Sequence, residues 1–289
     1  YWRLIGNVKF KHHNTIMICD SAYHYINKNQ IKAFGNIEIN QLDSIIITGN
    51  KLTYFGKKNK AEIKENVILK DKYMTLKTNK ILYNLEDNTA FFPYEAEIID
   101  NEKTINSGEG EYQANTQNYI FKDSVTVYTK EYNILTNNMH YNSNTGITSF
   151  FGPSYIISEK KTIYCENGWY NTTNNIAQFK ENARINTKEY ILYGDSLYYN
   201  KNIGYGEAIK NVKVVSKTKE IEVLGDLGEY FEIENLIEIK EDPLLKILLE
   251  EDTLFMSAEK FISNQQVESK NIIAENNIKI FTKELQGKC

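Results

Sequence analysis

The feature that most constrains this chain is a register that it keeps repeating. The stretches "GNKLTYF", "NKILYNL", "EGEYQAN", "NNMHYNS", "NGWYNTT" and "GDSLYYN" align on Tyr54, Tyr83, Tyr112, Tyr141, Tyr170 and Tyr199. Each of these tyrosines follows the last by 29 residues. Tyr230 in "DLGEYFE" comes after 31, and His24 in "CDSAYHY" precedes Tyr54 by 30. A second anchor sits 12 residues after each of these through Tyr199: Asn36, Asn66, Glu95, Ser124, Pro153, Asn182 and Asn211. "GNV" at 6–8 extends the series upstream, and "NNI" at 276–278 is a looser late copy. Two anchors held in step over so many periods mark a tandem repeat, one structural unit stacked about ten times.

Parity around the second anchor gives the local structure. Apolar or small residues alternate at Ala61, Ile63, Val67 and Leu69, at Ala90, Phe92, Ala96 and Ile98, and at Tyr119, Phe121, Val125 and Val127. The pattern returns at Ala177, Phe179, Ala183 and Ile185, and at Gly206, Ala208, Val212 and Val214. A period of two predicts a strand with one buried face. The position before the anchor breaks the stripe with Glu65, Asp123, Glu181, Lys210, Gly35 or Gly152, so each strand is expected to bend or bulge there. Polar runs at 84–88, 142–146, 171–175 and 200–204 read as turns, because Asn and Gly tolerate left-handed backbone. The least regular segment, 243–252, reads as strand by its flanks.

Each period thus predicts about two bent strands and a polar turn, and the chain reads as one elongated all-β domain over 1–289, free to continue beyond either end. Counted as one layer of ~4.8 Å per repeat, ten layers give a rod of roughly 45–50 Å. The 21 Tyr and only 3 Pro fit strands. A formal charge of −4 with interspersed signs leaves no basic field for nucleic acid. No stretch approaches the ~20 apolar residues of a membrane helix. The chain begins at Tyr1 rather than Met and contains no signal peptide, which is compatible with a removed targeting segment.

Chemistry-bearing residues dissolve into the repeat. Gly194-Asp195-Ser196-Leu197 matches the nucleophile block of GDSL esterases, but the Ser196 slot holds Lys51, Lys80, Glu109, Asn138 and Asn167 in other copies, and a serine nucleophile needs a base. Glu166 and Asp195, available to a carbohydrate-processing enzyme, are also ordinary slot variants. His12 and His13 are adjacent on a strand and point to opposite faces, so with His24 they make a poor metal site. Cys19 and Cys165 share a slot five periods apart, too far for a disulfide, and Cys289 ends the chain. No catalytic residue, metal or cofactor is expected. The tyrosine series is read as cross-strand aromatic pairing. Small residues beside the Phe series at 92, 121, 150 and 179 are read as leaving room in the interior.

The motifs "CDSAYHY", "FGNIEI", "KENVILKD", "GDSLYYN" and "DTLFMSAEKF" together resemble the OstA-like family, which contains LptA, LptC and the N-terminal domain of LptD, and most resemble its Bacteroidetes members. The resemblance implies an elongated β-jellyroll forming an open trough whose apolar interior holds the acyl chains of lipopolysaccharide. Groove residues would be Ile63, Val67, Phe92, Ala96, Phe121, Val125, Phe150, Phe179, Ala183 and Val212. It also implies a non-enzymatic role in the periplasm or at the outer membrane. Partners would be other lipopolysaccharide-transport proteins or a second copy head to tail, joined by strand addition at an edge such as 2–10. The competing reading is a structural or adhesive β-solenoid with a dry core.

Overall fold

The computed structural model describes residues 1–12, 14–41, 45–99, 103–264 and 271–288. It is all-β: apart from the 3-10 turns Ile26–Lys28 and Gly56–Lys58, the described regular elements are strands. They fall into two compact units, Tyr1–Gly146 and Ile147–Cys289.

In the first unit every long strand ladders antiparallel with its neighbours in sequence. Trp2–His12, Thr15–Tyr25, Gln30–Gln41, Ile45–Phe55, Lys60–Lys70 and Thr75–Asn84 follow one another in this way. The next two long strands are each split, into Thr89–Phe92 with Ala96–Ile99 and Thr104–Ser107 with Glu109–Gln113. Asn118–Tyr128 and Tyr132–Asn142 complete the unit. The second unit repeats the scheme from Ile147–Ser158 to Gln286–Lys288, and 243–252 supplies the strand Leu244–Leu248. Along the tyrosine row Tyr54 faces Ala61, which faces Tyr83. A repeat therefore adds two strands, and the ladder advances by two spacings of ~4.8 Å, twice the expected step.

The bend lies where the sequence stripe breaks. The pairing of Lys60–Lys70 with Thr75–Asn84 jumps from Lys64 to Val67, and the skipped Glu65 and Asn66 have φ of 66° and 54°. Asp123 and Ser124 do the same in the first unit, as do Glu181 and Asn182, Lys210 and Asn211, and Glu241 and Asp242 in the second. Left-handed backbone costs most L residues about 1–2 kcal/mol, and short polar side chains tolerate it best. That is why the second anchor is so often Asn. Its amide also ties the corner: Asn36 donates to Asp20 at 2.9 Å, and Asn182 to Glu166, Asn211 to Asp195 and Asn276 to Glu259 each at 3.0 Å. The corner at 93–95 departs from this pattern. Pro93 cannot take positive φ, and the strand is interrupted between Phe92 and Ala96.

At two inward glycines a neighbour's ring takes up the space: a Cβ built on Gly110 collides with Phe92 Cζ and lies 2.5 Å from the Ile120 carbonyl oxygen, and one on Gly168 meets Phe179 at 3.1 Å. Alternating large and small residues along a row gives a filled core. Gly110→Ala is therefore expected to lower stability by about 1–3 kcal/mol. Gly206→Ala, whose Cβ would meet nothing closer than 3.5 Å, stays near neutral. Urea unfolding of both variants checks this, and an equal effect at both positions contradicts the packing account.

Candidate functional site: the apolar interior and its tyrosine seam

All ten expected groove residues face inward, and their exposure runs from 0 to 6%. Ile63, Val67, Phe92, Ala96, Phe121 and Val125 belong to the first unit, Phe150, Phe179, Ala183 and Val212 to the second. In the first unit the rings of Phe92 and Phe121 lie 6.5 Å apart, and Tyr119 stacks on Phe121 at 5.8 Å and 12°. In this structure these positions are covered rather than open to solvent.

What covers the first unit follows from the bend. An extended strand of 11 residues such as Lys60–Lys70 would separate its ends by ~35 Å. Tyr83, Ala90, Tyr112, Tyr119 and Tyr141 are consecutive partners along one rim. Asp71 follows the far end of Lys60–Lys70. Yet Tyr112 and Tyr119 donate their hydroxyls to Asp71 Oδ2, at 2.5 and 3.0 Å. Asp71 Oδ1 accepts the backbone N–H groups of Tyr73 at 2.8 Å and Met74 at 2.7 Å. The corners have folded the two rims onto one another.

The same crossing recurs along the first unit. Tyr83 donates to Gln41 Oε1 at 2.5 Å, and Gln41 Nε2 donates to Asn88 Oδ1 at 2.7 Å. The Lys103 ammonium sits 3.8 Å from the centre of the Tyr141 ring, and the His12 ring lies 6.4 Å from that of Tyr54. In the second unit Lys161 lies 5.1 Å from the Tyr199 ring, whose hydroxyl donates to Glu232 at 2.5 Å. Counted to the tyrosines of the 29-residue row, His12, Gln41, Asp71, Lys103 and Lys161 precede their tyrosine by 38 to 42 residues, and Asp71 precedes its second tyrosine, Tyr119, by 48. Burial holds the Tyr112 and Tyr119 hydroxyls protonated far above the usual phenol range, with Asp71 reinforcing it. Burial, then the charge of Asp87, pushes Tyr83 up to about 12.

The tyrosine series therefore does more than the cross-strand pairing expected of it. Tyr112 and Tyr119 do stack, at 4.4 Å, but their hydroxyls also reach the other rim. Gln41, Asp71 and Lys103 escaped the sequence reading because their chemistry varies. Only their constant offset from a tyrosine marks them.

The other candidates are structural. Ser196 accepts from Gln178 Nε2 at 3.2 Å, and Asp195 and Glu166 are corner partners of Asn211 and Asn182. His24 faces Trp2 and His12 faces Thr15, at opposite ends of one ladder. His13 and Cys289 lie outside the described residues. No cluster able to hold a metal occurs among the described residues. Cys19 and Cys165 are free and buried, and burial, with Glu166, pushes the Cys165 thiol up to about 12.

Bent strands in an antiparallel meander, an apolar interior and no gathered reactive groups among the described residues define a β-jellyroll repeat scaffold. The family model described as OstA-like protein matches residues 1–137 and 133–195, and the chain belongs to that family. No curated protein matches it. Membership suggests a part in lipopolysaccharide or lipid transport, in a family of extracytoplasmic transport scaffolds rather than enzymes. No described helix is long and apolar enough to cross a membrane.

The seam predicts a pH response with a definite sign. The unfolded chain's tyrosines ionise near pH 10, while the buried Tyr83, Tyr112 and Tyr119 keep their protons. Above about pH 10 the unfolded state binds fewer protons, so stability falls as pH rises through that range. The urea midpoint should drop as pH rises from about 10 to about 12, where Tyr83 itself ionises, and less steeply in a Tyr83→Phe/Tyr112→Phe/Tyr119→Phe variant. Equal slopes would show that these phenols do not carry the effect.

Proposed function

We propose that this chain is a non-enzymatic periplasmic scaffold that shields the acyl chains of lipopolysaccharide on its way to the outer membrane. The observation that carries the reading is an apolar interior rebuilt by every repeat, in a chain of the OstA-like family. Burying a methylene is worth ~0.8 kcal/mol, and near-equivalent repeats offer an acyl chain many similar resting places, which favours sliding over tight capture. The lining is assigned to Ile63, Val67, Phe92, Ala96, Phe121, Val125, Phe150, Phe179, Ala183 and Val212. The repeat register runs unbroken from Tyr141 to Tyr170, which supports a single functional domain over 1–289.

Partners are assigned to the first edge. Trp2–His12 ladders with Thr15–Tyr25, and Tyr1, Trp2 and Ile5 beside it are exposed. An apolar edge of this kind accepts a further strand, from another transport protein or a second copy of the chain.

One observation favours the dry-core solenoid instead: the interior is already filled. A photo-crosslinking residue at Phe121 or Phe150, in cells, separates the two. Adducts with lipopolysaccharide are expected at both, and none at the outward Leu135, which is 41% exposed. Adducts at neither interior position, with no lipid A extracted from the purified protein, would establish the dry core.

A further inference from the structure

We propose that Asp71, Tyr112 and Tyr119 form a latch on the first unit's interior, and that an apolar chain enters sideways when the rims part there. The proposal rests on the acyl-chain reading above and adds how that interior opens.

Three observations converge on this place. The first is the nature of the closure. Lys60–Lys70 ladders with Ile45–Phe55 and Thr75–Asn84, along the sheet. The Asp71 end of that strand meets the tyrosine rim through side chains, one carboxylate taking four donors. Only the two tyrosine hydroxyls cross to the rim, the other two donors being the local N–H groups of Tyr73 and Met74, and two side-chain bonds are far fewer than those of a strand ladder, so the seam yields before the sheet does.

The second is what lies behind it. Tyr119 stacks on Phe121, which packs beside Phe92. Moving Tyr119 off Asp71 uncovers two of the largest buried rings in the chain.

The third is a matching weak corner. Tyr112 belongs to Glu109–Gln113, half of a split strand that ladders with Thr89–Phe92, half of another. Both splits fall at the corner, at 93–95 and at Gly108. A cleft of about 910 Å³ opens there, with Pro93, Tyr94, Glu95, Gly108 and Asp123 on its walls. The Ser107 hydroxyl, also on that wall, is buried without a hydrogen-bond partner among the described residues. Tyr112 thus sits on a strand with a discontinuous hinge, while Tyr119 belongs to the continuous strand Asn118–Tyr128 and Asp71 follows the continuous strand Lys60–Lys70, so a small flexing at the corner moves the Tyr112 side of the seam against a fixed partner.

The test uses the purified chain and the apolar fluorophore 1-N-phenylnaphthylamine, with its rate of uptake followed by stopped flow. Tyr112→Phe/Tyr119→Phe removes both hydroxyls and keeps the rings. It should speed uptake by roughly tenfold or more, the factor that two ordinary hydrogen bonds control. Tyr164→Phe, which removes an outward bond to Glu166 of 2.9 Å, should leave the rate unchanged. Should the double variant fail to fold by circular dichroism, Tyr112→Phe alone makes the same comparison with a smaller factor. Uptake by wild type at the same rate as by the seam variants overturns the latch and leaves the acyl-chain reading standing. Equal acceleration by Tyr164→Phe also overturns it, since general loosening would then suffice. No uptake by any of the proteins overturns both.

Discussion

Two adjacent residues held at positive φ recur at the corner of alternate strands, as at Glu65 and Asn66, and the remaining architecture is a response to the bend they make. Without it an alternating strand would make a flat sheet with one greasy face exposed. With it, each strand supplies both walls of its own interior, and the buried face closes on itself. The backbone cost is met locally, by asparagines that tolerate the conformation and whose amides bind a carboxylate on the preceding strand, as Asn36 binds Asp20. The corner is thereby both strained and tied.

Closing a bent sheet divides its cohesion into two kinds. Along the ladder, strands are joined by regular backbone hydrogen bonds. Across the mouth in the first unit, side chains of several chemistries do the joining: an amide at Gln41, a carboxylate at Asp71, an ammonium at Lys103. The tyrosine is the common partner because one residue offers an aromatic face to a cation and a hydroxyl to an acceptor. Lowered polarity at the rim makes these contacts matter, since a phenol desolvated without a partner would be costly.

Most of the fold was legible in the sequence because its causes are local. Alternation at Ala61, Ile63, Val67 and Leu69 declares a strand, and the break at Glu65 declares the corner. Even "GDSLYYN" could be recognised as a repeat slot. The interior's state was not legible. Ala90 and Gly110 are small in the sequence, and only the register that sets Gly110 against Phe92 shows that a ring takes up their space. The seam was half legible. Tyr83, Tyr112 and Tyr141 announce themselves by period, whereas Gln41, Asp71 and Lys103 share a position but no residue type. Pairing across about 40 residues depends on how far the bent strands lean, a property of three-dimensional geometry that no local pattern encodes.

The ladder of sequence neighbours has a consequence for how such a chain is made. Every strand finds its partners in the segments just before and just after it, and even the rim contacts span only about one and a half repeats. Contacts of such short range close quickly, because little loop entropy stands against them. Assembly can begin wherever one hairpin forms and proceed by accretion, each new hairpin templated on the last. A polypeptide threaded across a membrane from one end could therefore take shape as it emerges, without waiting for its distant parts.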